Sequence, residues 1–252
     1  MKHIIIITAF FFAALTVTAQ QFIDQAVVEY EVKTNIKKTM GNGMWADMLK
    51  ENMPQFKTGY YTLSFSDNKS LYKFDHWDEK AKIPEFLRKS DEENLWFYDY
   101  NTGKFNMQKD IYGSKFNVED SIANIDWHLE NENRIIAGFN CRKAVGKIMD
   151  SVYVFAFYTD EITLTGGPVS VNGLPGLILG LTIPRLYTSY MATKVTLSGA
   201  SKDNVKAPSA KKYLTAAAFK KDIHSRIKEW MSEDDDEDSK QWTNQFLWNT
   251  FL

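Results

Sequence analysis

Residues Ser151 to Thr159 constrain the fold more than any other stretch of the sequence. Val152, Val154, Ala156 and Tyr158 alternate with Tyr153, Phe155 and Phe157, so an extended chain here is apolar on both faces. Such a segment has to be covered on both sides, which predicts a central strand of a sheet. Punctuation follows at once. Gly166-Gly167-Pro168 breaks the strand, and Asn172-Gly173 favours positive φ at both residues. Leu174-Pro175-Gly176-Leu177 fits a type II turn, with Pro175 presetting φ and Gly176 supplying a positive φ.

The same grammar of short alternating runs and turn residues recurs along the chain. Val28 to Val32 alternates apolar with acidic residues, and Tyr61, Leu63 and Phe65 alternate with Thr62 and Ser64. Asp67-Asn68 then turns the chain into Ser70 to Phe74, a predicted hairpin. Leu95 to Tyr100 and Lys104 to Lys109 flank the turn Asn101-Thr102-Gly103. Further strands are predicted at Arg134–Phe139, Arg142–Ile148, Gly176–Ile183 and Ser189–Leu197. Strand and helix do not alternate, so the fold class is mainly β: a curved antiparallel sheet or open barrel.

Helices are few. Asn42 can cap a short helix from Gly43 to about Asn52, ahead of Pro54. From Thr215 to Met231, Ala216, Phe219, Ile223, Ile227 and Trp230 form one apolar stripe behind the N-cap Thr215. Gln241 to Asn249 predicts a last helix with Trp242, Phe246 and Leu247 on one side. The organisation that follows is a single β-rich domain over residues 20–252. Its residues 198–210 form a mobile connection to a helical region at 211–252.

The first nineteen residues have the make-up of a secretory signal. Lys2 precedes the apolar run Ile4 to Leu15, and Val17-Thr18-Ala19 predicts cleavage before Gln20. The apolar run is shorter than the roughly 20 residues of a membrane span, and no later segment is long and apolar enough. No cysteine lies near the cleavage point, which excludes lipoprotein processing there. The expected location is therefore the periplasm or beyond, in soluble form. Cleavage leaves 233 residues with 29 basic and 32 acidic side chains, a balance that gives no electrostatic case for nucleic acid. Cys141 is the only cysteine, so no internal disulfide exists and packing alone holds the fold. Its expected role is a small buried hydrophobe on a strand.

Gly173-Leu174-Pro175-Gly176-Leu177-Ile178 is the candidate binding motif. Its leucines give the loop an apolar underside, which suits either a corner that seals the sheet or a surface for a partner. No charged or nucleophilic group lies within it. The segment Arg134–Val195 resembles the GLPGLI family of exported proteins from Bacteroidetes-type bacteria. The resemblance rests on Ile136, Gly138-Phe139, Cys141, Lys143-Ala144, Ala156-Phe157-Tyr158-Thr159, Gly167-Pro168 and the hexapeptide itself. The family more often has Trp where Phe157 stands. The resemblance implies export and a β-rich fold, and it brings no catalytic or ligand-binding residues.

Catalytic signatures are missing: there is no zincin helix, no phosphate loop and no serine elbow. Cys141 with His76, His128 or His224 has no spacing that selects a pair. Met40, Met44, Met48 and Met53 concentrate thioethers, and Met44 and Met48 share a helical face as weak Cu(I) candidates. The same residues with Trp45 and Leu49 make an ordinary contact face. The acidic run Glu233–Asp238 reads as a solvated connector, because it lacks the glycine and closing Glu of a calcium loop. No cofactor is expected. Aromatic residues make up 14% of the chain, which fits either a dry core or a groove for an apolar ligand. The expectation is a non-catalytic envelope protein binding an apolar ligand or an envelope protein. Copper handling and an unrecognised hydrolase are the alternatives.

Overall fold

A computed structural model describes residues 23–40, 44–80, 83–111, 113–149, 151–202, 204–230 and 237–252. The signal-like segment, its cleavage point, the cap Asn42 and residues 233–236 of the acidic run lie outside these. The strands are β1 (Gln25–Asn35), β2 (Phe56–Ser66), β3 (Lys69–Trp77), β4 (Leu95–Asp99), β5 (Lys104–Ile111) and β6 (Ser114–Ser121). They continue as β7 (Asp126–Ile136), β8 (Phe139–Ile148), β9 (Val152–Thr159), β10 (Leu177–Ile183) and β11 (Thr188–Thr196). The helices are α1 (Ile36–Thr39), α2 (Met44–Glu51), α3 (Glu85–Glu92), α4 (Ala216–Trp230) and α5 (Glu237–Phe251).

All eleven strands join one antiparallel sheet in the order β6-β5-β4-β3-β2-β1-β11-β10-β9-β8-β7. Two meanders meet where β1 pairs β11 across Tyr30↔Ala192 and Val32↔Tyr190. β6 and β7 are edges, so the sheet is open and not a closed barrel. It curls strongly. β7 returns against β11, four places away in the order. The chain between β9 and β10 crosses the concave side to reach β4, where the Tyr98 hydroxyl donates to the Val169 carbonyl at 3.2 Å.

Local chemistry sets the turns. Asp67 and Asn68 both take positive φ, 58° and 55°, which matches the right-handed twist of β2–β3. Ala137 and Gly138 do the same, at 49° and 88°, between β7 and β8. The predicted strand Arg134–Phe139 is therefore two strand ends and a hairpin turn. β6, the first part of β7, α1 and α3 are elements beyond those predicted.

β9 corrects a second expectation. It is the third strand from the β7 edge, not a central one. Val152, Val154, Ala156 and Tyr158 are buried on the concave side, whereas Tyr153 is 56% exposed and Phe155 half-buried. The outer rings are covered by cations from neighbouring strands instead of a second layer. Lys143 Nζ sits 5.5 Å from the Phe155 ring and the Arg134 guanidinium 4.5 Å from Phe157.

The main core fills the concave side. Val28 and Tyr30 of β1, Leu63 and Phe65 of β2, and Tyr98 of β4 are buried there. The described C-terminal helices dock into the same space. Thr215 Oγ1 accepts the Ala218 N–H at 3.1 Å and caps α4 as expected. Phe219 packs between Phe116 and Phe251, each at 5.2 Å, with Ile223, Ile227 and Leu247 buried beside it. On the outer side, Val205 of the 198–210 connection is buried against Leu71 and Phe97. Among the described residues no helix is long and apolar enough to cross a membrane.

Candidate functional site

The hexapeptide is a packed corner. Leu174 is 2% exposed, and Leu177 and Ile178 are fully buried; only Gly173 and Pro175 face solvent. The turn is not type II. Gly176 N–H donates to the Leu174 carbonyl at 2.8 Å, closing a three-residue turn over Pro175, and the Gly176 φ is 148°. Asn172 also departs from expectation, since only Gly173 of the Asn-Gly pair has positive φ. The physical reason is close approach. A Cβ on Gly176 would overlap the Thr159 carbonyl oxygen, so the chain passes directly over the end of β9. Partners pin the corner: Ile178 N–H donates to Gly166 O at 2.9 Å, Trp127 Nε1 to Asn172 O at 3.0 Å, and the Tyr30 hydroxyl to Ile178 O.

The other sequence candidates stay apart. Cys141 is buried on β8, with its thiol against the Phe139 carbonyl at 3.6 Å, and burial pushes its pKa up to about 11. It is a protonated thiol at neutral pH and a poor nucleophile. His76 stacks on Tyr60 and contacts Asp75 at 2.7 Å, on the exposed side of the sheet. Met48 is 52% exposed on α2, and the Met44 side chain lies outside the described residues. Among the described residues no cluster of His, Cys, Asp or Glu is arranged to hold a metal ion.

The residues that sequence reasoning missed lie on another part of the concave side. A cavity of about 840 Å³ opens there between the inner faces of β1–β5 and β11, helix α3 and the end of α5. Its floor is an aromatic shelf. Tyr61 stacks on Tyr72 at 5.4 Å and 4°, and Tyr72 meets Trp96 at 5.8 Å. Tyr190, Thr188 and Leu186 bring the other meander to the wall, and Val169 brings the corner loop. None of the hexapeptide residues lines it.

Charge is placed unevenly around this cavity. At one side Lys57 pairs with Asp91 of α3 at 2.6 Å, and the Tyr61 hydroxyl approaches the same carboxylate at 3.4 Å. Deeper in, Lys109 of β5 is only 7% exposed. Its ammonium lies 4.7 Å from the centre of the Trp96 ring. Among the described residues it has no hydrogen-bond or ion-pair partner. Burial lowers its pKa to about 8, opposed by the Asp91 charge and assisted by Lys57. Two further lining side chains, Tyr72 and Trp96, hold a buried hydroxyl and a buried indole N–H without partners. Burial pushes the Tyr61, Tyr72 and Tyr190 hydroxyls upward, so all three are neutral near pH 7.

The signal for Lys109 was present in the sequence. Phe105, Met107, Lys109 and Ile111 occupy alternate positions of β5, so the strand period that buries Met107 and Ile111 buries the lysine with them. Asp91 carried no comparable signal, because α3 was not predicted.

No protein-family model matches the chain, and no curated protein sequence is similar to it. Among solved structures, two of PNGF-II align with a TM-score of 0.52 each, at 13% and 15% sequence identity. They cover 78% and 79% of this chain, which spans only 32% of theirs. An uncharacterized conserved protein from Thermus thermophilus aligns at TM-score 0.40 and 8% identity, covering 77% of this chain and 91% of its own. At such identities the PNGF-II likeness speaks to the fold alone: a curled antiparallel sheet of this kind occurs as part of a larger protein.

Proposed function

We propose that this chain is an exported, non-catalytic envelope protein that binds a small molecule with an apolar body in the concave-side cavity. The cavity at the Lys109 end carries this reading. Its volume of about 840 Å³ lies within the roughly 300–1,000 Å³ usual for small-molecule pockets, and its walls are aromatic with a few fixed polar groups. Among the described residues the Lys109 ammonium at this cavity has no hydrogen-bond or ion-pair partner, and a buried polar group normally has one. Export rests on Lys2 and the Ile4–Leu15 run, and on the resemblance to the GLPGLI family. In this reading the hexapeptide holds the wrap in shape and stands apart from the ligand.

The hydrolase alternative has less to support it, since the cavity lining includes Asp91 and Asp110 but no histidine. The copper alternative keeps Met48 exposed on α2, and anaerobic Cu(I) titration of the Met44→Ala, Met48→Ala double variant tests it. The ligand reading is tested with N-phenyl-1-naphthylamine, an uncharged apolar dye. Saturable fluorescence at one site per chain is expected, together with a co-purifying small molecule in native mass spectra. Unsaturable fluorescence and a bare chain mass would remove the reading.

A further inference from the structure

We infer that the cavity selects an anion: a ligand whose apolar or aromatic body rests on the Tyr61–Tyr72–Trp96 shelf and whose oxyanion, a carboxylate or sulfonate, pairs with Lys109. This rests on the reading that the cavity binds a small molecule, and it names the class.

The argument is one of charge accounting. Three lysines and two aspartates line the cavity. Asp91 is engaged by Lys57 at 2.6 Å and by Tyr61. The Asp110 carboxylate accepts the Gly113 N–H at 3.1 Å. Lys89 is an exposed residue of α3. Lys109 is thus a buried cation that lies over the face of a tryptophan, feels the Asp91 charge and has, among the described residues, no hydrogen-bonded anion. An isolated ammonium in such surroundings is costly, and an oxyanion brought against it offsets that cost with a charge-assisted hydrogen bond. A cationic ligand would meet the like charge of Lys109 and find Asp91 already neutralised by Lys57, which leaves it Asp110 alone. A neutral ligand would fill the aromatic shelf and leave the ammonium more deeply buried than before.

A matched pair of dyes tests this. 1-Anilinonaphthalene-8-sulfonate has the aromatic body of N-phenyl-1-naphthylamine plus one sulfonate. The wild-type chain is expected to bind the anionic dye at least about tenfold more tightly than the neutral one. Lys109→Met should abolish that preference and leave the neutral dye's affinity unchanged or improved, whereas Lys147→Met, at an exposed position of β8 away from the cavity, should keep the preference. Anionic-dye affinity should fall as pH rises above about 8, where Lys109 loses its proton, while neutral-dye affinity stays flat. The charged groups around Lys109 are Asp91 and Lys89 of α3, Lys57 of β2 and Asp110 of β5 itself, and the three cavity tyrosines stay neutral near pH 7. Equal affinity for the two dyes in the wild-type chain overturns the anion inference and leaves the cavity reading standing. So does a preference that survives Lys109→Met. Failure of both dyes to saturate overturns the cavity reading itself. The wild-type ratio decides the matter even if the variant does not fold.

Discussion

The two ends of the concave side are built from the same curled sheet but finished differently. At the hexapeptide end Leu174, Leu177 and Ile178 fill the space with aliphatic side chains, and named partners take up the loop carbonyls of Gly166, Asn172 and Ile178. At the Lys109 end tyrosines and a tryptophan line space that stays open, and among the described residues the Lys109 ammonium, the Tyr72 hydroxyl and the Trp96 indole N–H have no hydrogen-bond partner. Aliphatic packing with complete hydrogen bonding maximises stability and recognises nothing. Aromatic surface with unpaired polar groups sacrifices stability and leaves something to recognise. On the proposed reading, the difference gives architecture to one end and recognition to the other.

Substitutions at each end should break or sharpen that contrast. The largest effect is expected from Gly176→Ala. The new methyl overlaps the Thr159 carbonyl oxygen at a φ of 148°, with backbone on both sides of the conflict. The variant should lose the cooperative thermal transition seen by circular dichroism, or accumulate as insoluble protein. A wild-type melting temperature would mean that the corner does not hold the wrap together.

Lys109→Met should do the opposite and stabilise the chain. A lysine with a folded-state pKa near 8 and an ordinary unfolded value of about 10.5 binds fewer protons when folded across that window. The burden of the buried charge is fully present below pH 8 and disappears as pH rises toward 10.5. The variant should gain roughly 1–3 kcal/mol in urea unfolding at pH 7, and the gain should shrink across that window. A destabilised variant would mean that the ammonium is held by interactions of its own.

The smallest effects come from two buried tyrosines in edge contact, their rings 6.2 Å apart. Tyr30→Phe strands the Ile178 carbonyl at the corner and should cost about 1–2 kcal/mol. Tyr72→Phe removes a hydroxyl that has no partner, and should change urea-unfolding stability by less than about 0.5 kcal/mol. Equal costs for the two would erase the distinction between the ends.

The fold was legible where one side of a strand faces core. Period-two runs at Val28–Val32 and Tyr61–Phe65 became β1 and β2, because burial on one side enforces alternation, while the aromatic run Leu95–Tyr100 became β4, buried on both faces. β7 escaped in part because Leu129 and Ile135 are exposed on an edge strand that also has a register shift between Leu129 and Asn133. Polar residues there carry no inward–outward rhythm. β9 misled because ring-covering arginine and lysine side chains come from other strands, which a local window does not contain. The cavity was hardest to see. Lys109 sits in readable alternation, but its meaning depends on Trp96, Lys57 and Asp91, which converge from β4, β2 and α3. Composition distinguishes neither filled from empty space nor a paired from an unpaired charge.

Hydrogen–deuterium exchange with and without saturating naphthyl dye tests the division of labour most directly. Protection is expected in β4, β5, α3 and residues 246–252, with no change across residues 173–178. Dye-induced protection centred on the hexapeptide, with β5 and α3 unaltered, would contradict the account.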